Sequence, residues 1–296
     1  MNEENLIDKL PKIQGVYRQN CKIKTWFDVG GNAEIVFKPA NIDDLKFFLK
    51  NISKKIAINI IGAGSNVIIS DDGVKGVVIK LDSSFAKINH QDNILNVGSA
   101  MLCGNVALYC KNNGLSNLEF LTGIPGSVGG ALAMNAGCYG SDISQFLISA
   151  KAINYQGDIL KIDNKDFGFF YRGNKIAKNF IFLEASFSVE KSSSENVLQK
   201  IIQFQTQREI TQPIRAKTGG STFKNPLNLK AWELIDKSGC RGLTIGDAQV
   251  STKHCNFLIN KGNAKASDLI SLGYEVQRKV KEICKIDLEW EIKIIK

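Results

Sequence analysis

No stretch of this 296-residue chain stays apolar for the ~20 residues a membrane-spanning helix requires. No two of its cysteines stand as Cys-x-x-Cys, and the seven present (Cys21, Cys103, Cys110, Cys138, Cys240, Cys255 and Cys284) are odd in number. A disulfide framework or a zinc site is therefore not expected, and free thiols in a reducing compartment are. Histidine is scarce, with only His90 and His254. The net charge is +9, yet there is no dense Lys/Arg block and no zinc-finger or RNA-recognition signature. The charge reads as a lysine-rich enzyme surface serving anionic ligands, not as a nucleic-acid interface. The start, Met1-Asn2-Glu3-Glu4-Asn5, is acidic and polar, unlike a secretory signal. A cytoplasmic protein with no membrane and no nucleic-acid partner is the expectation.

What is present points to an ordinary globular chain, 44% hydrophobic and 23% charged. Its length implies two or three structural units. Glu34–Lys38, Ala57–Ile61, Gly76–Leu81 and Asn93–Val97 read as strands. Asn41 is placed to cap a helix running to Lys50 with Leu45, Phe48 and Leu49 on one face. A second helix fits Leu102–Asn112, ended by Gly114. Residues 123–140 are too rich in glycine for a helix or strand interior. Lys151–Leu160 suggests a strand pair turned at Gly157, and Phe180–Val189 another strand. Beyond a polar boundary at Ser192–Glu195, helices fit Val197–Arg208, Ala231–Ser238 and Ser267–Cys284. Strands fit Asn256–Asn260 and Leu288–Ile295. This mixture predicts an α+β protein with a cofactor region to about residue 195 and a smaller αβ unit beyond.

Two glycine loops carry the clearest chemical signal. Gly62-Ala63-Gly64-Ser65-Asn66 follows an apolar strand, and Gly123-Ile124-Pro125-Gly126-Ser127-Val128-Gly129-Gly130 lies further on. Bare backbone can turn tightly and bring successive N–H groups onto an anion, so two such loops suit a pyrophosphate. The bland alternative is a pair of tight turns with no ligand. Val67 occupies the place of the third glycine in a Rossmann fingerprint, and no Gly-Lys-Ser/Thr of a Walker loop occurs. Residue types alone lead to a dinucleotide-like cofactor and stop there.

These loops sit within a longer ordered set of motifs: Thr25-Trp26-Phe27-Asp28-Val29-Gly30-Gly31, Met134-Asn135-Ala136-Gly137, Tyr171-Arg172, Gly220-Ser221-Thr222-Phe223-Lys224-Asn225-Pro226 and Glu291-Ile292-Lys293-Ile294-Ile295. Together they cover nearly the whole chain, and the chain resembles the UDP-N-acetylenolpyruvoylglucosamine reductase family, shorter class. The resemblance implies a two-lobed FAD-binding region of the vanillyl-alcohol-oxidase (PCMH) type plus a smaller αβ substrate-binding domain. It places the lobes at 1–82 and 83–195 and the substrate domain at 196–296, with the last strand returning to the first lobe. It implies non-covalent FAD held by Gly62, Ala63, Gly64, Ser65, Asn66, Ile124, Pro125, Gly126, Ser127, Gly129, Asn135 and Ala136. It implies NADPH as hydride donor and UDP-N-acetylglucosamine enolpyruvate as substrate, and no metal.

The resemblance also assigns catalysis to Arg172, Ser221 and Glu291. Tyr171, Lys224, Asn225 and His254 are candidates for sugar, nucleotide or acid-relay contacts and Arg208 and Arg215 for the UDP phosphates, each of them equally readable as a solvated surface residue. On residue type alone, Arg172 reads as a salt-bridge partner, Glu291 as an exposed carboxylate and Ser221 as a loop residue. Three positions depart from the family pattern: Asn174 where serine is expected, His254-Cys255-Asn256-Phe257 in place of His-Ala-Gly-Phe, and a final Lys296 in place of glycine. The competing expectations are an FAD-linked sugar or alcohol oxidase on the same fold and a non-catalytic flavin-binding module.

Overall fold

A computed structural model describes residues 5–296; the polar start Met1–Glu4, read above as no secretory signal, lies outside the described residues. The chain forms two compact units, each discontinuous in sequence. One comprises the residues up to Cys21, Glu34–Ala63 and Gly76–Thr206, and the other Lys22–Ala33, Gly64–Lys75 and Gln207–Lys296. Among the described residues no helix is long and apolar enough to cross a membrane.

The first unit is built on two sheets. The smaller has the order Val16–Lys22, Asn32–Lys38, Val74–Ile79, Ile58–Ile60, the last two strands running parallel. It is covered by the helix Ile42–Asn51, whose N-terminus Asn41 caps by accepting the Asp44 N–H at 2.9 Å. Leu45, Phe48 and Leu49 are buried on one face of that helix, as the 3.6-residue period requires, and the Phe48 ring lies 4.3 Å from that of Phe37. The larger sheet is antiparallel, in the order Ile159–Asp163, Leu147–Asn154, Phe180–Ser188, Ile94–Gly98, Ile88–Gln91. Its inner face, with Leu95, Val97, Ala150, Ala152 and Phe187, packs in one core with the helices Cys103–Asn112 and Val128–Met134.

That last helix corrects the sequence reading. Residues 123–140 were expected to be irregular, yet Val128–Met134 is helical through Gly129 and Gly130. Val128, Ala131 and Leu132 are buried, and this packing overrides the low helix propensity of glycine. The Val197–Arg208 helix extends to Ser194–Thr211.

The second unit holds a three-stranded antiparallel sheet, Thr244–Ile245, Ala248–Val250 and Leu258–Asn260. The helices Ala231–Lys237 and Ala266–Cys284 contribute Ile235, Leu269, Leu272, Val276 and Val280 to its core. The expected strand Leu288–Ile295 is shorter than its apolar pattern suggests. Only Lys293–Ile295 forms a strand, parallel to Val67–Ile69. Trp290 instead faces Phe223 across an isolated bridge. The strand near Asn256 likewise starts at Leu258.

Asp71 fastens the long helix Ala266–Cys284. Its two carboxylate oxygens accept the Ala266 and Ser267 N–H groups at 2.8 and 2.9 Å, at the positive end of the helix dipole. Partial burial pushes the Asp71 pKa upward, but the Ser267 and Ala266 amides and the Lys265 charge outweigh it and hold the carboxyl below the usual carboxylate range. A depressed folded-state pKa contributes stability that is full above the unfolded value and lost as pH falls through the folded value. Asp71→Ala should therefore cost about 0.5–1 kcal/mol at neutral pH, the range for an exposed helix cap. In urea titrations that difference should shrink as pH is lowered below 4; a pH-independent difference would show that the charge is not responsible.

Candidate functional site

Gly62, at the start of the first glycine loop, meets the second glycine loop within the first unit. A Cβ at Gly62 would collide with the Ser127 hydroxyl oxygen, so the loop after strand Ile58–Ile60 lies directly against the second loop. The second loop is threaded along the segment before helix Cys103–Asn112. Cys103 N–H donates to the Gly126 carbonyl (3.0 Å), Val128 N–H to Met101 (2.9 Å) and Gly129 N–H to Ser99 (2.8 Å). A Cβ at Gly129 would press on Ser99 at 3.0 Å, and the buried Ser99 hydroxyl has no hydrogen-bond partner. Backbone held this closely, glycine where a Cβ would fill the space and an orphaned buried hydroxyl fit a dinucleotide lying on the loops. Ile124 and Ala136 pack against the hydrophobic core, and Pro125 and Gly126 are half-buried. Cys138 donates its thiol to the Phe120 carbonyl at 3.1 Å. None of the seven cysteines is in a disulfide, and burial pushes the thiols of Cys103 and Cys110 up to about 12, so neither is a thiolate nucleophile at neutral pH.

At the far end of helix Val128–Met134, Asn135 terminates the helix in left-handed conformation, φ 41°. Its buried carboxamide is committed within the protein: Oδ1 accepts Ser144 N–H (3.0 Å) and Nδ2 donates to the Phe170 carbonyl (3.3 Å) and to Asp142 (3.5 Å). Phe170 and Gly173 exchange both backbone hydrogen bonds, 3.0 and 3.1 Å, which leaves Tyr171 and Arg172 at the tip of a two-residue turn. Arg172 sits there with φ 61°, a conformation that glycine or asparagine favours. Its guanidinium lies 4.9 Å from the centroid of the exposed Tyr171 ring. Strain of this kind persists where surrounding structure enforces it, and it clusters at functional sites. Asn174, the departure from serine, follows the turn and is anchored on four backbone groups. Nδ2 donates to the Leu132 and Ala133 carbonyls (2.9 and 3.3 Å), and Oδ1 accepts Ile176 and Ala177 N–H (3.1 and 2.7 Å). A serine hydroxyl has one proton to donate and could not serve both carbonyls.

In the second unit, Ser221 and Glu291 are tied through one residue. The buried Thr222 accepts Glu291 N–H at its carbonyl (2.8 Å), and Lys224 N–H donates to Glu289 (2.8 Å). Ser221 itself pairs with Phe257 on the other side. Asn66, expected at the flavin, donates its Nδ2 to the Glu291 carbonyl at 3.1 Å and accepts Lys293 N–H at its own (3.0 Å). Gly64, Ser65 and Asn66 belong to this unit, Gly62 and Ala63 to the other. Lys224 pairs with Glu289 at 2.5 Å, and Asn225 accepts Ala231 N–H at the start of a helix. His254 is half-buried, and its Nδ1 accepts Asn256 N–H at 3.3 Å, which leaves the neutral ring's proton on Nε2. Burial lowers the His254 pKa, with a smaller contribution from the Arg241 charge in the same direction. Arg208 donates to Gln212 at 3.3 Å, and Arg215 is exposed. The sequence reading did not single out Thr218, and it gave Thr222, Asn256 and Asn260 no structural role beyond a motif, a departure and the ends of an expected strand. Buried side chains that bond backbone have no spacing signature.

The model of an FAD binding domain matches residues 33–163, and that of the UDP-N-acetylenolpyruvoylglucosamine reductase C-terminal domain matches 212–295. The chain is 50% identical over 288 residues to the UDP-N-acetylenolpyruvoylglucosamine reductase of Rickettsia typhi, covering 97% of this chain and 98% of that one. The same figures hold for the reductase of Rickettsia rickettsii (strain Sheila Smith). The crystal structure of the reductase from Thermus caldophilus superposes with a TM-score of 0.84 at 29% identity, covering 96% of this chain and all of that one. The fold is thus α+β, with an FAD-binding region of the vanillyl-alcohol-oxidase (PCMH) type and a smaller αβ domain. With half its residues identical over nearly the whole length, the chain belongs to the UDP-N-acetylenolpyruvoylglucosamine reductase family.

Proposed function

We propose that this chain catalyses the NADPH-dependent, FAD-mediated reduction of UDP-N-acetylglucosamine enolpyruvate to UDP-N-acetylmuramate, a cytoplasmic step in making peptidoglycan precursors. The observation that carries the reading is the near full-length identity with reductases named for this substrate. Part of the proposal is that residues up to 195 hold the flavin and 196–296 the substrate.

FAD, when bound, would supply the redox chemistry of hydride transfer between NADPH and the substrate's β-carbon. The chain supplies position and charge. Gly62, Ala63, Ile124, Pro125, Gly126, Ser127 and Gly129 would hold the cofactor along the two glycine loops, and Gly64, Ser65, Asn66, Asn135 and Ala136 would complete its site. Arg172 offers a planar fork of donors to the enolpyruvyl carboxylate, where negative charge grows along the reaction. Ser221 gives its hydroxyl proton to the α-carbon, and Glu291, in its protonated form, helps polarise the developing enol. A serine hydroxyl is a weak acid, so it serves only a strongly basic carbon held close to it. Tyr171, Lys224, Asn225 and His254 contact the substrate.

The test is anaerobic. NADPH should bleach the yellow holoenzyme, and UDP-N-acetylglucosamine enolpyruvate should restore the colour in one turnover. The FAD is non-covalent, so acid precipitation should leave the colour in the supernatant. Oxygen consumption with a sugar or alcohol and no NADPH would favour an oxidase instead. A flavin that bleaches but never reoxidises with the substrate would sink the reading.

A further inference from the structure

The extended segment carrying Ser221 falls out of step with its neighbour just before Ser221. Lys217 stands opposite Asn260 and Ser221 opposite Phe257, both antiparallel. Four steps along one segment therefore match three along the other, which places a one-residue bulge at Thr218–Gly220. Bulges re-aim a side chain and are common beside active sites. Gly220 takes the positive φ this bulge needs, 84°, and the Phe27 ring leaves no room for a Cβ at Gly219.

A bulge leaves backbone groups unpaired, and one side chain makes up the loss. Thr218 is 7% exposed. Its hydroxyl donates to the Leu258 carbonyl at 2.7 Å and accepts Gly220 N–H at 3.3 Å. After the bulge the register is locked again. Thr222 N–H donates to the Asn256 carbonyl at 2.7 Å, and its Oγ1 accepts Leu258 N–H at 3.2 Å. The Asn256 carboxamide closes on both backbone groups of Phe223, accepting its N–H at 2.9 Å and donating to its carbonyl at 2.8 Å. Thr222 then passes this register to Glu291 through its carbonyl. A slip of one residue would turn Ser221 to the opposite face.

We propose that Thr218 is a positioning residue for proton delivery: its buried hydroxyl pins the bulge that aims Ser221 in fixed register with Glu291. The proposal rests on Ser221 being the proton donor. Thr218 touches neither substrate nor flavin in this account and acts only through Ser221. Removing its hydroxyl therefore affects the half-reaction that needs a proton at carbon and spares the one that does not.

The test compares holoenzymes of Thr218→Val and Thr218→Ala, which lack the hydroxyl, with Thr218→Ser, which keeps it. In anaerobic stopped flow, bleaching by NADPH should be unchanged in all three. Reoxidation by UDP-N-acetylglucosamine enolpyruvate should slow about 10–100-fold in the Val and Ala enzymes, the scale of a misplaced catalytic group. The Ser enzyme should recover the wild-type rate. Independently of activity, the Gly220 amide should exchange with deuterium faster in the Val and Ala proteins than in wild type or Thr218→Ser. Added to Ser221→Ala, Thr218→Val should cost no further rate. Should the Val protein fail to fold, the smaller Ala variant carries the comparison. Equal slowing of both half-reactions, a full penalty persisting in the Ser221→Ala background, or wild-type reoxidation by both the Val and Ala enzymes overturns the proposal. Normal turnover by Ser221→Ala would mark the failure of the donor assignment itself, and the positioning role would fall with it.

Discussion

Ser221→Ala should fold, hold FAD and bleach with NADPH at a near-normal rate, yet reoxidise with UDP-N-acetylglucosamine enolpyruvate at least about 10²–10⁴-fold more slowly, the usual contribution of a positioned general acid. The two half-reactions make different demands. Hydride transfer from NADPH needs no proton at a substrate carbon, whereas quenching the charge at the α-carbon does. Loss of one oxygen leaves the surrounding ladder intact, because Thr222, Asn256 and Glu291 hold the strand through backbone and neighbouring side chains. Stopped-flow absorbance of the flavin separates the two steps. Turnover within a few-fold of wild type would remove Ser221 from the donor role, and lost flavin would indicate a structural one.

Arg172→Lys is expected to lower kcat by about 10²–10³-fold, the typical cost of losing a donor aimed at developing charge. Lysine keeps the positive charge but replaces a rigid planar fork with a point charge on a flexible stem. The turn that presents this position is made by Phe170 and Gly173 and anchored by Asn135, so the substitution leaves its backbone bonds in place. Flavin content and reduction by NADPH should therefore match wild type while steady-state kcat falls. A Lys enzyme with wild-type kcat and only a raised KM would show that Arg172 binds the ground state and transition state equally.

Much of the fold was legible in the sequence because local rules and tertiary packing agree there. Asn41 caps the helix it precedes, Gly157 turns the hairpin it interrupts, and the periodic Leu45, Phe48 and Leu49 are buried together. The reading failed where packing overruled local preference. Gly129 and Gly130 lie inside a helix, and the apolar run from Leu288 becomes a strand only at Lys293.

The catalytic assignments came from motif order over the whole chain. Taken singly, the serine, arginine and glutamate carried no signal above a surface role. The sequence by itself determined the α+β class through its mixture of strand and helix patterns, and the dinucleotide-like cofactor and the family through its motifs, because backbone approach to a ligand requires glycine and those glycines recur in a fixed sequence. Only the tertiary structure decided how the chain is divided and how the site residues are held. Residues 22–33 and 64–75 join the C-terminal unit, and Asn66 meets Glu291 across most of the chain's length. The bulge before Ser221 arises because Lys217 pairs with Asn260 and Ser221 with Phe257. Such pairings depend on which backbone groups find partners after folding, and no local spacing encodes a partner forty residues away.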